Sequence, residues 1–105
     1  MSLPLEGLKV LAFEQYGAGP FGSQYLSDLG AEVIKIEPAG TDGDYLRALG
    51  PYFIDEEKNS ASSIFFQALN RNKKSITLNI LSQEGKEILG KLVKESDAVC
   101  NNLRG

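Results

Sequence analysis

A glycine-punctuated segment near the start of the chain restricts the folds that it can adopt more than any other feature. An apolar run at residues 8–13 is followed by the pattern G-x-G-x-x-G at residues 17–22. A second apolar run at residues 31–36 is followed by Glu37, twenty residues after Gly17. A strand, a glycine loop, a helix and a strand in this order predict a βαβ unit. We therefore expect an α/β domain with a parallel sheet.

The same punctuation is typical of dinucleotide-binding domains, in which the loop holds a pyrophosphate and the acidic residue binds a ribose. Glu37 has the spacing for that ribose contact. However, residues 14–16 make the loop wider than the NAD or FAD fingerprint allows, and Pro20 lacks an N–H where a pyrophosphate needs donors. Three interpretations stay open: an NAD- or FAD-binding domain, glycines that only let the chain turn, and another ligand at the same edge.

The rest of the chain predicts two more strands, at residues 75–79 and 98–101. Between them, Ser82 can cap a helix that runs to about Lys94. Before the third strand, a long acidic connection is predicted at residues 38–59, with a helical turn at 45–49. A helix at 60–69 and a polar turn at 70–74 then lead into that strand. Four strands with so few helices predict the first half of a doubly wound domain, which is incomplete over residues 1–105.

Apolar residues at helical spacing predict the face that each helix buries. The predicted stripes are Phe21, Tyr25, Leu26 and Leu29 in the first helix, Ile64, Phe65, Ala68 and Leu69 in the second, and Ile88, Leu89, Leu92 and Val93 in the third.

Composition excludes several classes of function. A length of 105 residues allows one domain at most, and a net charge of −3 argues against a general nucleic-acid binder. The single Cys100 excludes an internal disulfide and a cysteine-based zinc site, so we predict no metal. No apolar run of eighteen residues and no signal peptide are visible, so we expect no membrane partner and a cytoplasmic location.

Most charged residues have a plain structural interpretation. We expect the acidic residues of the long connection to be solvated on a surface loop; they are Asp42, Asp44, Asp55, Glu56 and Glu57. Asp28 should face solvent on the first helix, and Cys100 should pack in the fourth strand. The basic residues before the third strand, Arg71, Lys73 and Lys74, lie at the edge opposite to the ligand edge. We expect them to be structural or to form a subunit contact.

Five segments in this order resemble the start of the class III CoA-transferases, the CaiB/BaiF family. The segments are residues 5–11 followed by 17–20, residues 29–37, residues 70–76, residues 84–86, and residues 97–99 with Asn102. The family includes formyl-CoA transferase, the carnitine and bile-acid CoA-transferases and alpha-methylacyl-CoA racemase. The resemblance implies a Rossmann-like domain that binds coenzyme A, within a longer protein that forms an interlocked homodimer.

The resemblance also implies an activity. CoA would move between carboxylic acids, with an acyl-CoA and a free acid as partners, through a mixed anhydride on an aspartate. That aspartate lies beyond residue 105 in the family, so no catalytic residue is expected within this chain. A CoA-dependent racemase of the same family is an alternative.

The positions that match CoA-contacting segments of the family lie on the loops after the first, third and fourth strands. They are Gly17 and Ala18, then Leu78, Asn79, Ile80 and Leu81, then Asn102, Leu103 and Arg104. Two further candidates lie on the first of these loops: Gln15, which could supply a polar contact in place of Gly17 if the loop shifts, and Tyr16. Parallel strands bring these loops to one edge, and Arg104 is placed to bind phosphate. The chain departs from formyl-CoA transferase at Gly17, where that enzyme has glutamine, and at Pro38, where it has arginine.

Overall fold

Four strands form one parallel sheet in the computed structural model, which describes residues 2–55 and 63–104. The strands are β1 (Lys9–Phe13), β2 (Glu32–Pro38), β3 (Lys74–Leu78) and β4 (Ala98–Asn101). Their spatial order is β3-β2-β1-β4, and every neighbouring pair is parallel. The predicted α/β class is confirmed, and β2 and β3 are not joined as a hairpin.

The carboxyl edge of this sheet is not level. Ala12 of β1 pairs with Lys35, so β1 ends opposite Ile36. β2 and β3 continue together to the pair Pro38–Leu78, two residues farther. At about 3.3 Å per residue, these two strands project roughly 7 Å beyond β1. We call this difference in height the step.

Helices cover both faces of the sheet. α1 (Ala18–Asp28) and α2 (Ile64–Asn70) lie against each other, and Leu26 of α1 packs on the cluster of Val10, Ala12, Ala31 and Val33. α3 (Gln83–Lys94) packs Leu89 and Leu92 on the other cluster, which contains Leu11, Ile34 and Ile36. A short 3-10 turn at Tyr45–Ala48 interrupts the long connection after β2, where a helical turn was predicted. Two helix-covered faces are consistent with the first half of a doubly wound domain.

The buried face of α1 is mostly polar, so the predicted apolar stripe is correct at Leu26 but wrong for its other three residues. Phe21 and Tyr25 are 53% and 57% exposed and contact each other edge to face at 5.2 Å. Ser23 and Ser27 are buried instead. Ser23 donates to the carboxylate of Glu14, and Ser27 donates to backbone carbonyls of residues 71 and 72. Helical spacing located the helix, but these hydrogen bonds decide which face turns inward.

The other two stripes are correct only in part. In α2 the buried aromatic residue is Phe66, whereas Ile64 and Phe65 are exposed. The Phe66 ring packs under the Arg47 guanidinium, which lies 4.2 Å from the ring centroid in a cation–π contact. The predicted start of this helix, at residues 60–62, lies outside the described residues. In α3 the Ser82 cap is confirmed by a 2.9 Å bond from the Gly85 amide, although Ile88 and Val93 remain exposed.

Among the described residues, no helix combines the length and the apolar character that crossing a membrane requires.

Candidate functional site

Two clefts open at the carboxyl edge of the sheet. The inner cleft, with about 600 Å³ of empty space, lies in the angle of the step and is lined by Phe13, Glu14, Gln15, Ile36, Glu37, Pro38, Ala39, Leu78, Asn79, Ile80, Leu81 and Leu103. The outer cleft, with about 1010 Å³, is lined by Gln15, Tyr16, Tyr45, Asn102, Leu103 and Arg104. Gln15 and Leu103 line both. The fold therefore brings the loops after β1, β3 and β4 together, as predicted.

Gly17 and Ala18 line neither cleft, unlike the other predicted site residues. Gly17 is the N-cap of α1, with φ −115°, and Ala18 is the exposed first residue of that helix. A Cβ at Gly17 would meet no atom within 4 Å. A side chain would therefore fit at this position.

Gly19 is the glycine of this loop that packing requires, and sequence reasoning did not single it out. A Cβ on Gly19 would lie 2.7 Å from Cγ of Asn102 and 2.8 Å from Cβ of Glu14. The absence of a side chain allows α1 to approach the end of β4. The G-x-G-x-x-G pattern marked this position, but only the fold shows what it contacts.

The Asn102 side chain fixes the loop between β1 and α1. Its Oδ1 accepts from the Gln15 amide at 3.0 Å, and its Nδ2 donates to the Gln15 carbonyl at 3.1 Å. Both polar ends of Asn102 are thereby used within the protein. The Gln15 side chain makes no hydrogen bond among the described residues. Its carboxamide, unlike its backbone N–H, is therefore free at the junction of the two clefts.

Tyr16 forms the wall of the outer cleft in an unusual backbone conformation. Its φ is 65°, in the left-handed region that costs a residue with a Cβ about 1–2 kcal/mol. Its ring stacks on Tyr45, with centroids 5.5 Å apart and planes at 9°, and meets Phe65 edge to face. The Tyr16 amide donates to Oδ1 of Asp44 at 3.3 Å.

Asp44 is buried, so its prediction as a solvated loop acid is wrong. Its Oδ2 lies 2.6 Å from Nζ of Lys35, a side chain that is itself 1% exposed. Lys35 points from β2 into the layer between the sheet and α2, where its Nζ also donates to Asn70 at 2.8 Å. A buried ammonium needs a counter-charge, and Asp44 provides it. Asp42 of the same loop is exposed as predicted, whereas Glu56 and Glu57 lie outside the described residues.

A second buried ion pair, which no sequence pattern indicated, lies below the glycine loop. Nζ of Lys73 contacts Oε1 of Glu14 at 2.8 Å and donates to the carbonyls of Pro20 and Leu69, each at 2.9 Å. Burial lowers the pKa of the Lys73 ammonium, and the Glu14 carboxylate opposes that shift. Lys73 thus has the structural role that was predicted for it.

The other flanking charges are exposed. Arg71 pairs with Asp28 at 2.7 Å, and Lys74 pairs with Glu32 at 2.8 Å. The Gln24 amide and then Arg71 lower the pKa of the exposed Asp28 carboxyl.

Glu37 is occupied by internal partners. Its Oε1 accepts from Nε of Arg47 at 2.8 Å and from the Asp44 amide at 2.8 Å, and Ser75 donates to Oε2. Burial raises the pKa of this carboxyl, but the hydrogen bonds from Arg47, Ser75 and the Asp44 amide overcome that effect and hold the pKa at about 2. These contacts leave Glu37 poorly suited to the ribose role that a dinucleotide would require.

Charge is sparse around the clefts. Of the described residues that line them, Arg104 alone carries a cationic side chain. The described part of the chain contains no group of three or more acidic, cysteine or histidine side chains that could hold a metal ion.

Cys100 is half-buried and packs against the cluster under α1, as predicted. Burial, and to a lesser extent the nearby Glu14 charge, raises the pKa of its thiol.

An open parallel sheet in the order β3-β2-β1-β4, helices on both faces and clefts at the carboxyl edge define the Rossmann-like, doubly wound class of α/β proteins. Comparison with protein families narrows this class. The chain belongs to CoA-transferase family III, whose family model matches residues 5–105.

Individual relatives agree with this assignment. Human succinyl-CoA:glutarate CoA-transferase is 46% identical over 98 residues, which are 93% of this chain and 20% of that protein. Formyl-CoA:oxalate CoA-transferase of Escherichia coli is 42% identical over 103 residues, covering 98% of this chain and 23% of the enzyme. A CaiB/BaiF family protein of Brucella suis has a similar crystal structure, with a TM-score of 0.82 and 45% identity over 94% of this chain and 25% of that one. The chain thus spans about a fifth to a quarter of these relatives.

Proposed function

We propose that residues 1–105 are the N-terminal part of the CoA-binding domain of a class III acyl-CoA transferase. The whole protein would move CoA between carboxylic acids through a mixed anhydride on an aspartate outside this chain. One observation carries this proposal: the loops after β1, β3 and β4, which match CoA-contacting segments of the family, line two adjoining clefts. Ligands of open α/β sheets bind at this edge.

The chemistry of the clefts suits coenzyme A. The inner cleft offers apolar walls with a few amides, which can accommodate an adenine ring or a pantetheine arm. Arg104 offers a charge for a phosphate. The free amide of Gln15 could donate to a pantetheine or thioester oxygen at the junction of the clefts.

The carboxylates of the inner cleft are unsuited to nucleophilic attack. Glu14 is paired with Lys73 and Glu37 with Arg47, each at 2.8 Å or less. A carboxylate that forms an acyl anhydride must reach a thioester carbon, and these two are held by internal partners. Their pairing supports a nucleophile that lies outside residues 1–105. An interlocked homodimer, which the family resemblance implies, and a cytoplasmic location complete the proposal.

Ligand-induced stabilisation and acyl exchange test this function in the full-length protein. CoA should raise Tm and NAD should not, because a ligand that binds only the folded state stabilises it. With an acyl-CoA and an excess of a second acid, new thioester should appear, and hydroxylamine should trap the enzyme-bound anhydride. Stabilisation by NAD alone would contradict the proposal, and inversion of an α-carbon without acyl exchange would identify a racemase instead.

Arg104→Met should weaken CoA binding by roughly three- to tenfold, because an exposed charge-assisted contact to phosphate is lost. Arg71→Met is the matched control, since Arg71 is also an exposed arginine but pairs with Asp28 and lines neither cleft. Calorimetric dissociation constants at two salt concentrations provide the measurement. Equal effects of the two substitutions would remove Arg104 from the phosphate site.

A further inference from the structure

The loop between β1 and α1 is held by Asn102 and also by two residues of the long connection after β2. Tyr16 keeps its φ of 65° although it has a Cβ, and such a conformation persists only where the surroundings impose it. Two contacts impose it here. Asp44 accepts from the Tyr16 amide at 3.3 Å, and the ring of Tyr45 stacks on the Tyr16 ring at 5.5 Å. Both contacts come from one dipeptide, 28 positions along the chain.

This dipeptide is itself anchored to the sheet. Oδ2 of Asp44 is bound by Lys35 at 2.6 Å, and its amide donates to Glu37 at 2.8 Å. Oδ1 also accepts from the Leu46 amide at 3.0 Å, which begins the 3-10 turn carrying Tyr45. Lys35 and Glu37 both belong to β2. Tyr16 is therefore held, through Asp44, by two residues of the sheet rather than by a surface loop alone.

We propose that Asp44 and Tyr45 are positioning residues of the ligand site. They hold Tyr16 as the wall of the outer cleft and keep the adjoining Gln15 side chain at the junction of both clefts. This inference rests on the proposed function, because it assumes that the clefts hold coenzyme A. If the dipeptide releases Tyr16, the residue can leave the left-handed region, and Gln15 turns with it.

Tyr45→Ala tests the stacking contact in the full-length protein. Because Tyr45 itself lines the outer cleft, the substitution is also made in the Tyr16→Gly background, where the loss of affinity should be smaller if Tyr45 acts through Tyr16. CoA affinity should fall roughly fivefold, the effect of losing one aromatic pair of ordinary strength. KM for the acyl-CoA should rise with little change in kcat. Tyr25→Ala is the matched control, because Tyr25 and Tyr45 are 57% and 56% exposed and each belongs to an aromatic pair. Since Tyr25 lines neither cleft, its substitution should leave both constants within twofold.

A double-mutant cycle tests the contribution of Asp44. Asp44→Asn retains one acceptor oxygen for three donors, the Lys35 ammonium and the backbone amides of Tyr16 and Leu46, so the hold on Tyr16 weakens. Tyr16→Gly needs no such hold, because glycine adopts a positive φ freely. The loss of CoA affinity caused by Asp44→Asn should therefore be at least threefold smaller in the Tyr16→Gly background. Additive effects would show that Asp44 influences CoA binding without acting through Tyr16, and would overturn its positioning role.

Each outcome separates the two proposals. If the unmodified protein does not bind CoA, the proposed function fails and this inference fails with it. If it binds CoA but Tyr45→Ala behaves like Tyr25→Ala, the positioning role is overturned and the function stands. Should Asp44→Asn not fold, the same cycle with Tyr45→Ala and Tyr16→Gly must show the coupling, and additivity there overturns the proposal.

Discussion

At the scale of single residues, the sequence placed the loops of the candidate site at one edge of the sheet but did not predict the contacts that hold them. Gln15, Asn102 and Arg104 were placed correctly at one edge because strand ends follow from the apolar runs and parallel strands share an edge. The burial of Asp44 and Glu14 could not be predicted, because their lysine partners are 9 and 59 positions away. Such pairs exist only after the chain has folded.

Gly19 and Gly22 provide a comparison within one helix. Gly19→Ala should destabilise the protein by about 1–3 kcal/mol, because its Cβ would press on Asn102 and Glu14 at 2.7–2.8 Å. Gly22→Ala should be neutral or stabilising by up to about 1 kcal/mol, since Gly22 is exposed and a Cβ there meets nothing within 4 Å. Thermal unfolding of the two variants provides the measurement. Similar Tm values would show that α1 does not need this close approach.

Glu37 should make the protein sensitive to acid. Its carboxyl pKa is about 2 in the folded protein against an ordinary 4.5, so its stabilising effect is complete above about pH 4.5 and disappears as the pH falls towards 2. The amount lost is on the order of 2 kcal/mol. Glu37→Gln should lower Tm at pH 7 and reduce the further loss between pH 4.5 and 2.5. Parallel pH profiles for the two proteins would contradict this assignment.

At the scale of elements, strands were predicted more accurately than helix faces. Each strand is a short apolar or alternating run, and the sheet leaves such runs little choice of orientation. The inner face of α1 depends instead on Ser23 and Ser27, whose partners lie in other elements. Its aromatic pair, Phe21 and Tyr25, satisfied the helical period equally well and misled the prediction.

The joint between β3 and α3 should be intolerant of any side chain at Gly85. A Cβ there would lie 1.7 Å from the backbone carbonyl oxygen of Asn79, so Gly85→Ala must displace the segment that lines the inner cleft. We expect a loss of roughly 2 kcal/mol or more in stability, together with weaker CoA binding. Gly90→Ala, later in the same helix and open to solvent, is the control and should leave both unchanged or slightly improved. Intact CoA affinity in Gly85→Ala would show that this segment does not contact the ligand.

At the scale of the whole molecule, three internal ion pairs among the described residues connect the layers. Lys35–Asp44 and Arg47–Glu37 attach the long connection to β2, and Lys73–Glu14 attaches the start of β3 to the end of β1. Removing one partner of a buried pair typically costs about 3–5 kcal/mol, because it leaves a charge uncompensated. The architecture followed from the sequence, whereas this polar layer, which holds the candidate site in shape, did not.

Residues 1–105 expressed alone should not exchange acyl groups. The carboxylates that line the inner cleft are held by cations, and the proposed nucleophile lies outside the chain. The measurement is transfer of an acyl group from a CoA thioester to a free acid, with the full-length protein as the positive control. Turnover by the short chain at the full-length rate, with its mass verified, would overturn the assignment of the nucleophile.

The step in the sheet has a consequence for the shape of anything that occupies both clefts. β2 and β3 rise two residues above β1, so the floor of the site falls by roughly 7 Å from one side to the other. A flat, rigid ring system would fit on one side of the step more easily than across it. A molecule that occupies both clefts would pass Gln15 and Leu103, which line each of them, and would follow this change in height most easily if it could bend there. The step thus favours a ligand with a flexible arm over one that is rigid along its whole length.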